Sequence, residues 1–314
     1  MDRHKQWILF ILLTLCSQGF GIEPNYPGEF PWLTGPLFTQ SGEVVQIGHF
    51  NIEPTVFYTT RYARYNKDWK SIAIPKFNQV NYLAFIKIGI QEKIALSCTP
   101  QGFHNITKGV SSDGFGDLPI GFDFQLLEDR EGQPPVKISV IETIPFGKYK
   151  ELDPDKLGTD SIGLGTFSTQ IMLATCNLFK FSETNYLSTC ANFFVVFPQP
   201  VHVKGFNAYG GDHSTSGKVY PGTTFNFYCS AEYTLTENWA LALDVLSLYA
   251  LETDFRGYSD KPVGSPSSVQ ISLAPAIEYN FSKSLGIIAG SWFTVAGRNS
   301  TSFWSAAAAI NYFY

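Results

Sequence analysis

Asp212-His213-Ser214 sets a carboxylate, an imidazole and a hydroxyl in consecutive positions, the residue types of nucleophilic acyl transfer. A working triad draws its members from separate parts of the chain, and three neighbours in a Gly-rich stretch do not converge that way. We read them as part of an outer loop. Gly211 to Lys218 resembles a phosphate-binding loop only in outline: its spacing is one residue too long, and Val219 stands where Ser or Thr must hold a metal. Gly163-Leu164-Gly165 lacks the third glycine of a dinucleotide site, and Asp153-Pro154-Asp155 offers two carboxylates that a loop leaves solvated. His49 and His104 have no evident Ser on the same strand face, as a barrel-borne acyl hydrolase would require. The expectation is a protein that is not an enzyme, with no catalytic residue, no cofactor and no metal site.

Charged and aromatic residues set within alternating apolar runs are more informative. Glu53, Lys87, Asp123, Lys137, Glu232, Asp244 and Glu278 each fall on the polar side of such a run, joined by Phe57, Phe85, Tyr228 and Trp292. A charge in mid-strand is costly against lipid, so these eleven are candidates for a lumen lining. Two readings of them stay open: a structural network with acids paired to Lys87 and Lys137, or a charged channel wall.

The elements that must position them are strands. Residues 302–314 place Trp304, Ala306, Ala308, Ile310, Tyr312 and Tyr314 on one face, with Ser305, Ala307, Ala309, Asn311 and Phe313 on the other. One apolar face with aromatics at both ends is the pattern of a span between lipid and a polar lumen. Residues 269–281 and 224–235 repeat the period of two, and so do 116–126 and 50–58. With further strands at 79–90, 93–101, 135–145, 160–178, 188–198, 238–250 and 284–296, twelve are expected. Short or medium connections at 91–93, 129–133, 182–185, 236–238 and 282–284 alternate with long ones near 59–78, 102–115, 147–160, 199–221 and 252–267. The fold class expected is all-β, a transmembrane up-and-down antiparallel barrel of about 12 strands with both termini periplasmic. Strand 302–314 would close it against 286–295 and 51–58. Trp304 would sit in an outer aromatic girdle, and Tyr312, Tyr314, Tyr279 and Phe281 in girdle positions as well.

Composition agrees with this. Aromatic residues make up 16% and charged residues 16% of the 314, against only 2 Met, and no long stretch of period 3.6 is found. Residues 1–21 combine a basic start with an apolar stretch too short to span as a helix, and read as a signal peptide. Its removal leaves a net charge near -6, which argues against nucleic acid as a partner. Residues 22–43 are rich in Pro and Gly and lack alternation; they form a plug or a periplasmic extension, and the barrel occupies 44–314. Cys98 and Cys229 fall on lipid-facing positions, while Cys176 and Cys190 flank one hairpin and pair only if the register allows.

Gly89-Ile-Gln-Glu-Lys-Ile-Ala-Leu-Ser-Cys-Thr-Pro100 resembles a turn and strand of the outer-membrane family labelled "MetA-pathway of phenol degradation". Gly116-Asp117-Leu118-Pro-Ile-Gly121-Phe122 is similar to that family's Gly-Asp-Leu strand opening. Pro145-Phe146-Gly147-Lys148-Tyr149 resembles its Pro-Thr-Gly-Lys turn, departing at Phe146. The resemblance implies a transporter barrel of the Gram-negative outer membrane, related to channels for hydrophobic or aromatic compounds such as the long-chain fatty acid transporter. The expected function is a passive channel for small molecules, hydrophobic or aromatic ones among them. The alternative is a closed barrel acting as an adhesin or surface antigen through the loop at 201–222. Outer-membrane lipid and the barrel-assembly machinery are the expected partners.

Overall fold

The structure, a computed structural model, describes residues 31–130, 132–182 and 184–314; the expected signal peptide lies outside them. The strands in chain order are β1 (Phe50–Tyr65), β2 (Ser71–Gln91), β3 (Ile94–Cys98), β4 (Gln101–Thr107), β5 (Val110–Phe115), β6 (Leu118–Leu127) and β7 (Val136–Ile144). There follow β8 (Ser168–Lys180), β9 (Tyr186–Pro198), β10 (Val201–Lys204), β11 (Ser216–Tyr220), β12 (Thr224–Thr234), β13 (Trp239–Ala250) and β14 (Asp254–Tyr258). The last three are β15 (Ser268–Asn280), β16 (Leu285–Arg298) and β17 (Thr301–Phe313). A single 3-10 turn at Pro154–Lys156 is the only helical element among the described residues.

Twelve strands form a closed antiparallel barrel in the order β1-β2-β3-β6-β7-β8-β9-β12-β13-β15-β16-β17, with β17 returning to β1. Closure runs through Ile52 opposite Tyr312, Tyr58 opposite Ala306 and Thr60 opposite Trp304. A one-residue slip would turn every side chain to the wrong face, so the period-2 pattern of β1 and β17 selects this register. Ser305, Ala307 and Ala309 are buried on the inner face, whereas Trp304, Ala308, Ile310 and Tyr312 are exposed on the outer one. On the outer surface at the turn end, Phe50 lies 6.0 Å from Tyr312 and 5.4 Å from Tyr314, and Tyr279 packs against Trp239 and Phe281 at 4.7 and 4.9 Å. Trp304 stands near the other rim.

Four stretches expected as loops are more ordered than that. Residues 59–78 are the upper parts of β1 and β2, which stay paired up to Tyr65 and Ser71 around a turn at 66–70. Residues 102–115 form the β4–β5 hairpin, turned by Lys108 and Gly109 at φ of 46° and 81°, the left-handed pair a two-residue hairpin needs. Residues 199–221 and 252–267 carry β10, β11 and β14, a separate three-stranded sheet. Above the membrane both faces of a strand are wet, so alternation fades while the ladder persists. Conversely, the strand expected at 160–178 begins only at Ser168. Gly163 packs on Gly147, where a Cβ would collide with backbone, and this holds the preceding residues in an irregular path.

Cys176 and Cys190 are directly opposed on β8 and β9 and form a disulfide, with Cα atoms 4.1 Å apart. The register, which sequence spacing did not supply, brings them together. Neither Cys98 nor Cys229 is in a disulfide.

The facing assignment makes a prediction. Leu243 lies mid-strand on β13, 41% exposed on the outer surface. Leu243→Arg in lipid vesicles should lower unfolding free energy by about 2–4 kcal/mol, the penalty for a cation near the midplane, read from urea unfolding. Replacement by Ala should cost much less than that charge.

Candidate functional site

Inside the barrel, residues 34–47 form a loop that enters and leaves at the turn end. It enters beside Asn280, whose Nδ2 donates to the Trp32 carbonyl and whose Oδ1 accepts from Thr34 Oγ1. The consecutive N–H groups of Thr34 and Gly35 then donate to Glu278 Oε2 and Glu232 Oε1, both at 3.1 Å. At the apex, the backbone N–H and hydroxyl of Thr39 both donate to Asp244 Oδ1, at 3.0 and 2.6 Å. The chain leaves past Gln125 and ends in a parallel bridge between Ile47 and Gly89, where a Cβ on Gly89 would run into the Gln46 carbonyl.

Two side-chain amides act as if they were neighbouring strands. Asn192 accepts from Gln40 N–H at 2.6 Å and donates to the Gln40 carbonyl at 2.9 Å. Gln125 accepts from Val44 N–H at 2.8 Å and donates to the Gly42 carbonyl at 2.9 Å. Each satisfies backbone groups that a buried irregular segment would otherwise leave unpaired. The apex is apolar: Leu37, 4% exposed, packs with Phe57, Leu246, Ile288 and the alanines Ala307 and Ala309, while Phe38 lies 5.6 Å from Phe57 and 4.7 Å from Trp292.

All eleven candidate lining residues lie on the inner face, since each pairs across the ladder with other inward positions. Glu53 opposes Phe85, Asn51 opposes Lys87, and Trp292 opposes the buried Ser305. Asp123, Lys137, Glu232, Asp244 and Glu278 are 3% exposed or less. Tyr228 packs edge-on against Phe194 at 4.9 Å. The pairing of acids with lysines differs from the simple network, however. Of the five acids, among the described residues only Asp123 forms an ion pair with a lysine, Lys137 at 3.7 Å. Lys87 donates instead to Gln40 Oε1 at 2.9 Å, which Lys137 also approaches at 3.5 Å. Glu53 accepts from Asn311 at 2.8 Å. Glu232 and Glu278 accept from backbone N–H groups of the inserted loop, and Asp244 accepts from both the N–H and the hydroxyl of Thr39. Backbone N–H groups are invisible to a reading of residue types, so the loop's role as counter-ligand had no sequence signal beyond its lack of alternation.

The girdle residues Trp304, Tyr312, Tyr314 and Phe281 are exposed on the outer surface, and Tyr279 is half-buried among its aromatic neighbours. Asp212-His213-Ser214 is a turn: Asp212 Oδ1 accepts from Ser214 N–H and Oγ, and these hydrogen bonds, Ser214's first, hold the Asp212 carboxyl below its usual range. Ser214 therefore aims its hydroxyl at the carboxylate and not at His213. His104 pairs with Asp113, not with a Ser, across the β4–β5 hairpin at 2.6 Å.

No protein-family model and no curated protein matches the sequence. Among solved structures, the chain is similar to an outer membrane channel from Pseudomonas putida F1, at 11% identity and a TM-score of 0.65, covering 87% of this chain and 97% of that one. It is also similar to the translocator domain of the autotransporter NalP from Neisseria meningitidis, at 8% identity and a TM-score of 0.45, over 98% and 95% of the two chains. The first likeness shows the fold, a β-barrel of the outer-membrane kind; nothing rests on the second.

The loop's anchoring can be measured. Leu37→Cys, in a background with Cys98 and Cys229 replaced by Ser, should react slowly with a water-soluble thiol reagent. Adding Asp244→Ala, which removes the acceptor for both Thr39 donors, should raise the labelling rate at least about tenfold, the equivalent of one charged hydrogen bond of ~1.5 kcal/mol. An unchanged rate would mean that the apex is held by its apolar contacts alone.

Proposed function

We propose that the chain is a passive outer-membrane channel for small molecules, closed in this conformation by its own residues 34–47. The observation that carries the reading is the manner of closure. The lumen is stopped by a segment held through hydrogen bonds and side-chain packing, with no strand pairing beyond one bridge at its exit. A barrel meant only as a scaffold has no need of a removable filling, since side chains can complete a narrow interior themselves. The fold, the lipid-facing girdle and a disulfide, which forms in oxidising compartments, support an outer-membrane location in a Gram-negative bacterium. On this reading residues 1–21 are the export signal, both termini are periplasmic, and the aromatic end of β17 is what the barrel-assembly machinery meets.

The permeant class follows from the inner surface. Phe57, Trp292, Phe303 and Phe38 make one aromatic cluster, with Trp292 4.4 Å from Phe303. It suits hydrophobic or aromatic solutes, and the resemblance to the "MetA-pathway of phenol degradation" family belongs with this proposal. Below the cluster, five acids (Glu53, Asp123, Glu232, Asp244 and Glu278) face two lysines (Lys87 and Lys137). Once the loop is out, that excess leaves a negative potential in a narrow, low-dielectric passage.

Planar bilayers test the proposal. The native protein should conduct rarely. Deletion of residues 34–43, or Asp244→Ala with Glu278→Ala, should give steady conductance, with cation selectivity in the deletion read from the reversal potential. Uptake of a small aromatic solute into vesicles should rise in parallel. Folded deletion variants that pass neither ions nor solute would sink the channel reading.

A further inference from the structure

Three neighbouring strands make one wall of the lumen acidic. Glu232 lies on β12, Asp244 on β13 and Glu278 on β15, and none of these strands contains a Lys, Arg or His. The lumenal lysines stand on other walls, Lys87 on β2 and Lys137 on β7. Glu232 and Glu278 lie close to the turn end, and Asp244 is nearer mid-barrel, directly opposite Ser230 and Ala274. Asp244 is fully buried. Thr39 supplies it with two neutral donors, and both go to Oδ1. Among the described residues, Oδ2 has no hydrogen-bond partner and no ion pair reaches the carboxylate. A carboxylate held in a lumen by neutral donors alone, with one oxygen left over, is suited to a partner that brings charge and more donors.

An aromatic surface begins one residue away along the inserted loop. The Phe38 ring lies 5.6 Å from Phe57 and 4.7 Å from Trp292, whose Nε1 donates to Ser272 Oγ at 2.9 Å. Ser272 is directly opposite Leu246, the next inward residue after Asp244 on β13. Acid and ring wall are thus joined through one row of the sheet, and Phe38 and Thr39 occupy both at once. Between the Phe38 ring and the Thr39 nitrogen that donates to Asp244 stand three carbon atoms: Cβ, Cα and the carbonyl carbon of Phe38. A ring, three carbons and a donor nitrogen are the skeleton of an arylalkylamine. The loop's nitrogen is a neutral amide with one N–H. An alkylammonium carries a full charge and three donors, enough to serve Oδ1 and Oδ2 together.

We propose that Asp244, Phe57 and Trp292 form a permeant site selective for small aromatic molecules that carry a protonated amine on a short alkyl chain, and that Phe38 and Thr39 fill it as an internal mimic in the closed form. The inference rests on the channel reading above and narrows its permeant class. A cationic solute takes the place of the loop rather than a place beside it, because ring and nitrogen compete for the same two surfaces. Glu232 and Glu278 mark the route from the site to the turn end, where their carboxylates attract the same charge as the loop withdraws.

The probe is phenylpropylammonium, set against phenylpropanol, which keeps the ring without the charge, and propylammonium, which keeps the charge without the ring. In the full-length mature chain, labelling of Leu37→Cys in the background without Cys98 and Cys229 should accelerate as phenylpropylammonium is added and then level off. Neither control should do this at the same concentration. Calorimetry on the chain lacking residues 34–43, where the loop no longer competes, reads binding directly. Phenylpropylammonium should bind at least about tenfold more tightly than phenylpropanol. Asp244→Asn, which keeps the shape and an acceptor, should reduce that preference about tenfold, the worth of one charged hydrogen bond. Trp292→Leu should weaken both aromatic probes alike and leave the preference in place. Heat-modifiable gel mobility checks that each variant is folded; if the deletion variant is not, the labelling comparison decides alone. Equal acceleration by phenylpropanol, or a preference that survives Asp244→Asn, overturns the site. A deletion variant that conducts in bilayers without the preference removes the site and leaves the channel. One that binds with the preference yet passes neither ions nor solute removes the channel and leaves the site.

Discussion

A strand crossing hydrocarbon has no water to satisfy its N–H and C=O groups, so each must find a neighbouring strand, and the row of neighbours must end where it began. That requirement is met where β1 meets β17, with Phe50 and Tyr314 exchanging N–H to O bonds of 3.0 and 2.9 Å at the very end of the sheet. Once this seam is closed, inside and outside are fixed for every strand. Alternation then sends Trp304, Ile310 and Tyr312 to lipid and Ser305, Ala307 and Ala309 inward. The inward residues in the middle of β17, Ser305, Ala307 and Ala309, are small, and the room they leave is what Leu37 fills. Closure of the seam and occupation of the lumen are thus connected through the same few alanines.

An interior built this way encloses more acid than base, and buried carboxylates without donors are expensive. The chain meets part of this cost with backbone more than with lysine, while Asp244 Oδ2 remains buried without a donor. Glu232, Asp244 and Glu278 receive N–H groups from Gly35, Thr39 and Thr34, and the lysines turn to the Gln40 amide oxygen. The arrangement is reciprocal, because the same bonds give partners to an irregular backbone that has entered a narrow barrel. Asn192 and Gln125 complete that task by presenting both a donor and an acceptor.

Most of the barrel was legible because a lipid-facing strand must alternate, and Val269 to Phe281 or the last strand can hardly be read otherwise. The facing of Glu53, Asp123 or Trp292 followed from the same rule. What escaped had lost that constraint. Much of 59–78 and of 102–115 remains strand but lies toward the long-loop end, where neither face needs to be apolar, so both read as loops. Asn192 and Gln125 carry the inserted segment, yet an amide that mimics a strand looks like any other inward polar residue. The Cys176–Cys190 bond depended on register, which places the two cysteines directly opposite each other on β8 and β9.

On the proposed channel reading, the inserted segment must be held strongly enough to stay and weakly enough to leave. A hydrogen bond to a charged acceptor contributes about 1.5–3 kcal/mol against a broken one. The four donors to Glu232, Asp244 and Glu278 would together make departure prohibitive if they left bare carboxylates behind. Departure, however, opens the lumen from the turn end, where the segment both enters and leaves, and water reaches the acids as the backbone withdraws. The real comparison is therefore between solvation by N–H groups and solvation by water, and most of the gross energy cancels. What remains in favour of the closed form is the apolar apex, where Leu37 and Phe38 exchange contact with Phe57 and Trp292 for exposure. Because that contact is aromatic and near mid-barrel, a solute able to replace Phe38 against Phe57 and Trp292 would offset the largest remaining term and shift the balance toward the open passage.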